Sequence, residues 1–128
     1  MADYQLEVFG NLFSGLIGEA DALTQQMFMY DVTNLEKLSA FNKAVPEAMA
    51  SFQAFDEAAL ADGAIPKKYK ELMAVAVGLT TQCPYCIDVH RKAALNAGAT
   101  ERELAETTFV AAALRAGGAV AHGSHLVD

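Results

Sequence analysis

"ELMAVAVGLTTQCPYCIDVHRKAALNAGAT", residues 71 to 100, decides how this chain folds. Its first ten residues are free of proline and carry apolar side chains at helical spacing. Together with Pro66, which opens the segment, Tyr69, Leu72, Met73, Ala76, Leu79 and Thr80 mark one face of a helix. The chain then turns near Gln82. Pro84 suits the first position of a new helix, because its fixed φ and missing N–H cost nothing there, and Cys83 falls at the cap. Gly98 stops that second helix. Thr100 and Glu103 have the spacing of a capping box, so a third helix starts at once and runs to about Gly117 or His122. Between Glu106 and His122 the sole charge on it is Arg115, which predicts that several of its sides are buried.

Upstream, Thr33 to Glu36 fits another capping box, and Leu35, Leu38, Phe41 and Val45 follow at helical spacing. Pro46 ends that helix and begins the next. Met49, Phe52 and Phe55 form an apolar stripe on it, read as core or subunit contact, and Asp62-Gly63 supplies the stop. Residues 1 to 30 are interrupted by Gly10, Gly15 and Gly18. Leu23, Met27 and Tyr30 suggest two or three helical turns, and the segment reads as an arm packing on the body or on a neighbouring subunit. No stretch alternates with period two. The expected fold is therefore all-α, about six helices joined by short turns, in a single domain over residues 1–128.

The totals agree. The chain has 128 residues, 53% of them apolar, with no tryptophan. An apolar fraction that high in one small domain points to surface covered by a second copy. The net charge of −7 repels phosphate backbones and argues against nucleic-acid partners. Basic residues form no run suited to an anionic membrane. The apolar stretch "VFGNLFSGLIG" follows Asp3 and Glu7 instead of the positive charge of a signal peptide. No run reaches the ~18 apolar residues of a spanning helix. The expected location is cytoplasmic, where a close cysteine pair is more often redox-active or metal-binding than a structural staple.

The two cysteines are the only ones in the chain. At ~100° per residue, Cys83, Cys86, Ile87, His90, Ala94 and Ala97 share one stripe of the second helix. Tyr85, Asp88 and Lys92 lie opposite. Cysteines at i and i+3 in a first helical turn can reach disulfide distance, and the unpaired amides there favour a thiolate. Cys86 and His90 are i and i+4 neighbours, so a neutral imidazole can take the thiol proton. Cys83 would then resolve whatever forms on Cys86, leaving a disulfide for an external reductant to reopen. Glu71 lies ~12 Å back from the turn and His90 ~10 Å forward, at 1.5 Å per residue. In an antiparallel pair those levels match, so Glu71 is the candidate to hold the imidazole. Gly78, on the same stripe as Glu71 and Val75, would let the cysteine helix approach closely.

Glu71, eleven intervening residues, Cys83-Pro84-Tyr85-Cys86, three more and His90 resemble the alkylhydroperoxidase D (AhpD) family, within the wider carboxymuconolactone decarboxylase-like superfamily. The flanking "IPKKYKEL" and the helix after Thr100 extend the likeness over roughly the last two-thirds of the chain; the first 30 residues share none of it. The resemblance implies an all-helical subunit assembling as a homo-trimer or hexamer. It implies hydroperoxide reduction with no haem, flavin or metal cofactor. Cys86 matches the peroxidatic and Cys83 the resolving cysteine, with Glu71 and His90 the proton relay. The reductant would be an external dithiol or protein, which in the best-known members is a lipoylated adaptor. Those members carry a second histidine where this chain has Tyr85.

Other readings stand beside this one. Decarboxylation of a small lactone or related acid belongs to the same superfamily but needs no thiols. A non-enzymatic oligomer could use the pair to sense redox state. Cys83, Cys86 and His90 could ligate a metal, with His122 or His125 brought in by the fold, or the thiols could be inert core residues.

Overall fold

The structure, a computed structural model, describes residues 31–128, and Val32–Asp128 forms one compact unit. The arm expected over residues 1–30, with its Leu23, Met27 and Tyr30 turns, lies outside the described residues. A 3₁₀ segment, Val32–Leu38, leads into five α-helices: α1 (Ser39–Ala44), α2 (Pro46–Leu60), α3 (Lys67–Thr81), α4 (Pro84–Asn96) and α5 (Glu101–Gly123). A short 3₁₀ turn, Ser124–Leu126, follows α5. Among the described residues there is no strand.

Local chemistry places the boundaries. Pro46 opens α2, as its lack of an N–H allows. Asp62 Oδ1 accepts from the Lys67 N–H at 2.7 Å and so satisfies a free donor at the start of α3. Gln82 ends α3 in the left-handed region, at φ 56°. The backbone reverses there, and the Cys83 N–H donates back to the Gly78 carbonyl at 3.0 Å. Gly98, at φ 88°, makes the next reversal at no steric cost. Thr100 and Glu103 form the full capping box: each side chain accepts from the other residue's N–H. The box expected at Thr33–Glu36 starts no α-helix. Those residues lie within the 3₁₀ segment, and α1 begins at Ser39 with no side-chain cap.

Both α4 and α5 pack on α3. The core is Leu72 and Val75 of α3, Ala94 of α4, Ala99 of the turn and Leu104 of α5, with Leu79 and Leu95 against it. Two polar ties show how α5 runs. Lys68 Nζ donates to Glu103 Oε1 at 2.8 Å, and Arg115 Nη1 donates to the Thr80 carbonyl at 2.6 Å. The partners in each tie are 35 residues apart, so α3 and α5 run parallel in constant register, while α4 runs back along α3.

Two packing expectations change. The buried face of α3 is Glu71, Leu72, Val75 and Gly78, whereas Tyr69 and Met73 are about half exposed. The reason is that α4 sits on the Glu71–Val75–Gly78 stripe, turning the face away from the one apolarity alone selects. On α5, only Leu104 and Ala111 are buried, and Phe109 and Leu114 are 76% and 69% exposed. Phe52 and Phe55 of α2 are likewise outside the core of the described chain.

Candidate active site

Three pieces of backbone bring the candidate residues together: the middle of α3, the first two turns of α4, and the end of α2. Cys83 is the N-cap of α4, and its sulfur accepts from the Cys86 N–H at 3.2 Å. The two cysteines are joined by a disulfide, with Cα atoms 5.3 Å apart. That spacing is what one turn of helix gives residues three apart, so the bond forms within one secondary element and needs no other part of the fold to close it.

His90 lies one turn beyond Cys86. Its Nδ1 is 2.8 Å from Glu71 Oε2. Glu71 is 3% exposed and His90 20%. A carboxylate only accepts, so Nδ1 carries the hydrogen, which leaves Nε2 as a proton acceptor. Glu71 and His90 therefore stand at one level of an antiparallel pair, as the helix arithmetic expects. Gly78 sets how near the pair approaches. A Cβ on it would meet Ile87 Cγ1 at 3.2 Å and both Cys86 Cβ and the Ile87 nitrogen at 3.3 Å.

Cys86 and His90 open on one cleft of ≈ 380 Å³, walled by Leu60, Met73 and Val77 with Lys70 at its side. A second groove of ≈ 410 Å³ lies beyond the imidazole; Glu71 and His90 line it with Asp56 and Glu57. Leu60, at the end of α2, borders both. The ring of His90 thus faces an apolar cleft that holds a cysteine and a more polar groove that holds the carboxylates.

Tyr85 points elsewhere, and its hydroxyl accepts from Asn34 Nδ2 at 3.2 Å, which links α4 to the leading 3₁₀ segment. His122 Nδ1 bonds the Gly118 carbonyl of its own helix at 2.8 Å, the capping role common at helix ends. Neither His122 nor His125 lines the cleft with Cys86. Among the described residues no three His, Cys, Asp or Glu side chains are arranged to hold a metal ion. Sequence reading missed Lys70 and Asn34. Lys70 was detectable, because it falls at i, i+4 and i+7 with Ala74 and Val77, the face that lines the cleft. Nothing in the local pattern marks Asn34, whose partner is 51 residues away.

A profile described as the carboxymuconolactone decarboxylase family matches residues 46–128. The chain is 47% identical over 74 residues to the protein called uncharacterized protein 4 in the cox locus of Paracoccus denitrificans, covering 58% of this chain and 67% of that one. It is 38% identical over 74 residues to an uncharacterized protein of Cupriavidus necator, covering 58% and 66%. Each match thus spans about two thirds of the relative's length. Two crystal structures are similar. One is a carboxymuconolactone decarboxylase family protein of Legionella pneumophila in its apo form, at TM-score 0.62 and 39% identity over 65% of this chain and 76% of that one. The other, from Methanobacterium thermoautotrophicum, has TM-score 0.65 and 39% identity over 69% and 99%.

Proposed function

The chain belongs to the carboxymuconolactone decarboxylase family, and from that premise we propose that it is a thiol-dependent peroxidase that reduces hydroperoxides through Cys86 and Cys83. The observation that carries this reading is the linked set: a Cys83–Cys86 disulfide, His90 on the same cleft as Cys86, and Glu71 2.8 Å behind the imidazole.

In the reduced protein, His90 Nε2 takes the proton of the Cys86 thiol, and Glu71 stabilises the imidazolium through Nδ1. The thiolate attacks the distal peroxide oxygen. The O–O bond breaks, the alkoxide leaves and takes the proton from His90, and Cys86 becomes a sulfenic acid. Cys83 then attacks that sulfur; the S–S bond forms and water leaves. A dithiol, free or on a protein adaptor, reduces the disulfide by exchange and is itself oxidised. The cycle consumes reductant in a fixed ratio and calls for a reducing compartment, which supports a cytoplasmic location.

Assembly as a homo-trimer or hexamer is part of the same reading. It is supported by the apolar side chains exposed along α2 and α5, Phe52, Phe55, Phe109 and Leu114 among them.

The test is steady-state reduction of an organic hydroperoxide with a dithiol, by wild type and Cys86→Ser. Wild type should turn over; Cys86→Ser should fall to background. Titration should show two thiols lost per chain after one equivalent of peroxide. Folded protein whose thiols survive that treatment would rule out the peroxidase reading and favour decarboxylation, which needs acid–base groups and no cysteine pair. Disulfide formation without turnover under several reductants would favour a redox sensor.

A further inference from the structure

We propose that Lys70 is a positioning residue for Cys86: its ammonium fastens the end of α2 as a wall of the cysteine cleft and offsets the negative end of the α2 dipole there. Lys70 Nζ donates to the Ala59 carbonyl at 2.9 Å and to the Ala61 carbonyl at 2.7 Å. These flank Leu60, the last residue of α2, and Ala61 is already extended at ψ 153°. The carbonyls are among those a helix end leaves without intrahelical donors. Ala59 and Leu60 line the cleft that holds Cys86 and His90, so the groups Lys70 ties down belong to the wall itself.

Charge makes the tie matter for chemistry. A helix C-terminus carries a partial charge of about −0.5, and its influence is confined to the last turn. The end of α2 therefore presents negative potential to the cleft in which Cys86 has to become an anion. Among the described residues, the charged groups lining that cleft are few. Lys70 comes from α3 and His90 from α4, with Glu71 behind the imidazole. The α2 residues that line the cleft are uncharged, while Asp56 and Glu57 line the groove on the other side of His90. Lys70 is thus the cation that cancels the α2 end and keeps the wall seated. The proposal concerns the same cleft as the peroxidase reading, but its test does not depend on turnover.

Alkylation of Cys86 by iodoacetamide, followed by mass spectrometry across pH, reads the thiolate directly. A Cys83→Ser background leaves Cys86 as the single thiol. In that background Lys70→Met should move the alkylation profile up by about half a pH unit or more. Lys70→Arg should restore it. Lys70→Gln keeps a donor for the carbonyls and removes the charge alone, so it carries the test should Lys70→Met fail to fold. A folded Met or Gln variant whose alkylation profile matches the parent overturns the proposal. Shifted alkylation in the Cys83→Ser background, together with failure of the chain with both cysteines to reduce peroxides, would sink the peroxidase reading and leave the role of Lys70 intact.

Discussion

At the scale of single residues, the proposed chemistry rests on the contact between a buried carboxylate and a partly exposed ring. Glu71 meets His90 on one side and lines the polar groove on the other. Glu71→Gln keeps the shape and an acceptor oxygen while removing the charge that stabilises an imidazolium. Under the peroxidase reading the rate of Cys86 oxidation should fall about 10²-fold, the usual scale of a general-base contribution. Stopped-flow measurement of thiol loss with excess peroxide checks this, and an undiminished rate would remove the carboxylate from the mechanism. Tyr85 raises a separate point. Its hydroxyl is engaged by Asn34. Here that position anchors the leading segment to α4.

At the scale of elements, the α3–α4 pair depends on one missing side chain. Gly78→Ala would gain about 1 kcal/mol of helix propensity. Against that, the new methyl would press on the Cys86 Cβ and the Ile87 backbone, atoms that cannot rotate away. Overpacking of this kind costs about 1–3 kcal/mol, so the balance is a net loss. Thermal unfolding should show a midpoint lower by roughly 5 °C. A midpoint at or above the wild-type value would mean that the helices are not pinned here.

The start of α5 gives a pH prediction. The Glu103 carboxyl is held below its ordinary 4.5 first by its hydrogen bond with the Lys68 ammonium and then by the Thr100 N–H. Lys68 is raised above 10.5 by the same bond to Glu103. A depressed carboxylate stabilises the fold above its unfolded pKa, and that contribution is lost as pH falls through the folded value. A raised lysine contributes fully below 10.5 and loses its share as pH climbs through its folded value. Glu103→Gln should therefore melt below wild type at pH 7, and the gap should close in acid. Melts at neutral pH and near pH 3 would check it; a gap that stays constant across that range would locate the effect in the cap geometry instead of the charge.

At the scale of the whole molecule, the described unit hides few large side chains. Leu72, Val75 and Leu104 are buried, while the phenylalanines at 41, 52, 55 and 109 are all exposed. Exposed apolar surface of this extent is costly in water and would be relieved by association. Light scattering after size exclusion should give a mass several times the 13.6 kDa of one chain. Phe109→Glu with Leu114→Glu should lower that mass. A wild-type protein running as a single chain would contradict the assembly reading.

The sequence alone determined what lies within one or two helical turns. The Cys83 cap, the Pro84 start, the Thr100–Glu103 box and the shared stripe of Cys83, Cys86 and His90 follow from backbone geometry over a few residues. It reached the pairing of Glu71 with His90 because a tight turn fixes the register of an antiparallel pair. The all-α class followed from periodicity for the same local reason. The exposure of Tyr69 and Met73 on α3, the parallel run of α5 against it and the clamp of Lys70 on α2 were decided by tertiary structure, whereas the seat of α4 on the Gly78 stripe was already legible in the sequence. These depend on contacts between segments far apart in the chain. Burial there is settled by which neighbours arrive, and the apolarity of a stripe does not name its partner.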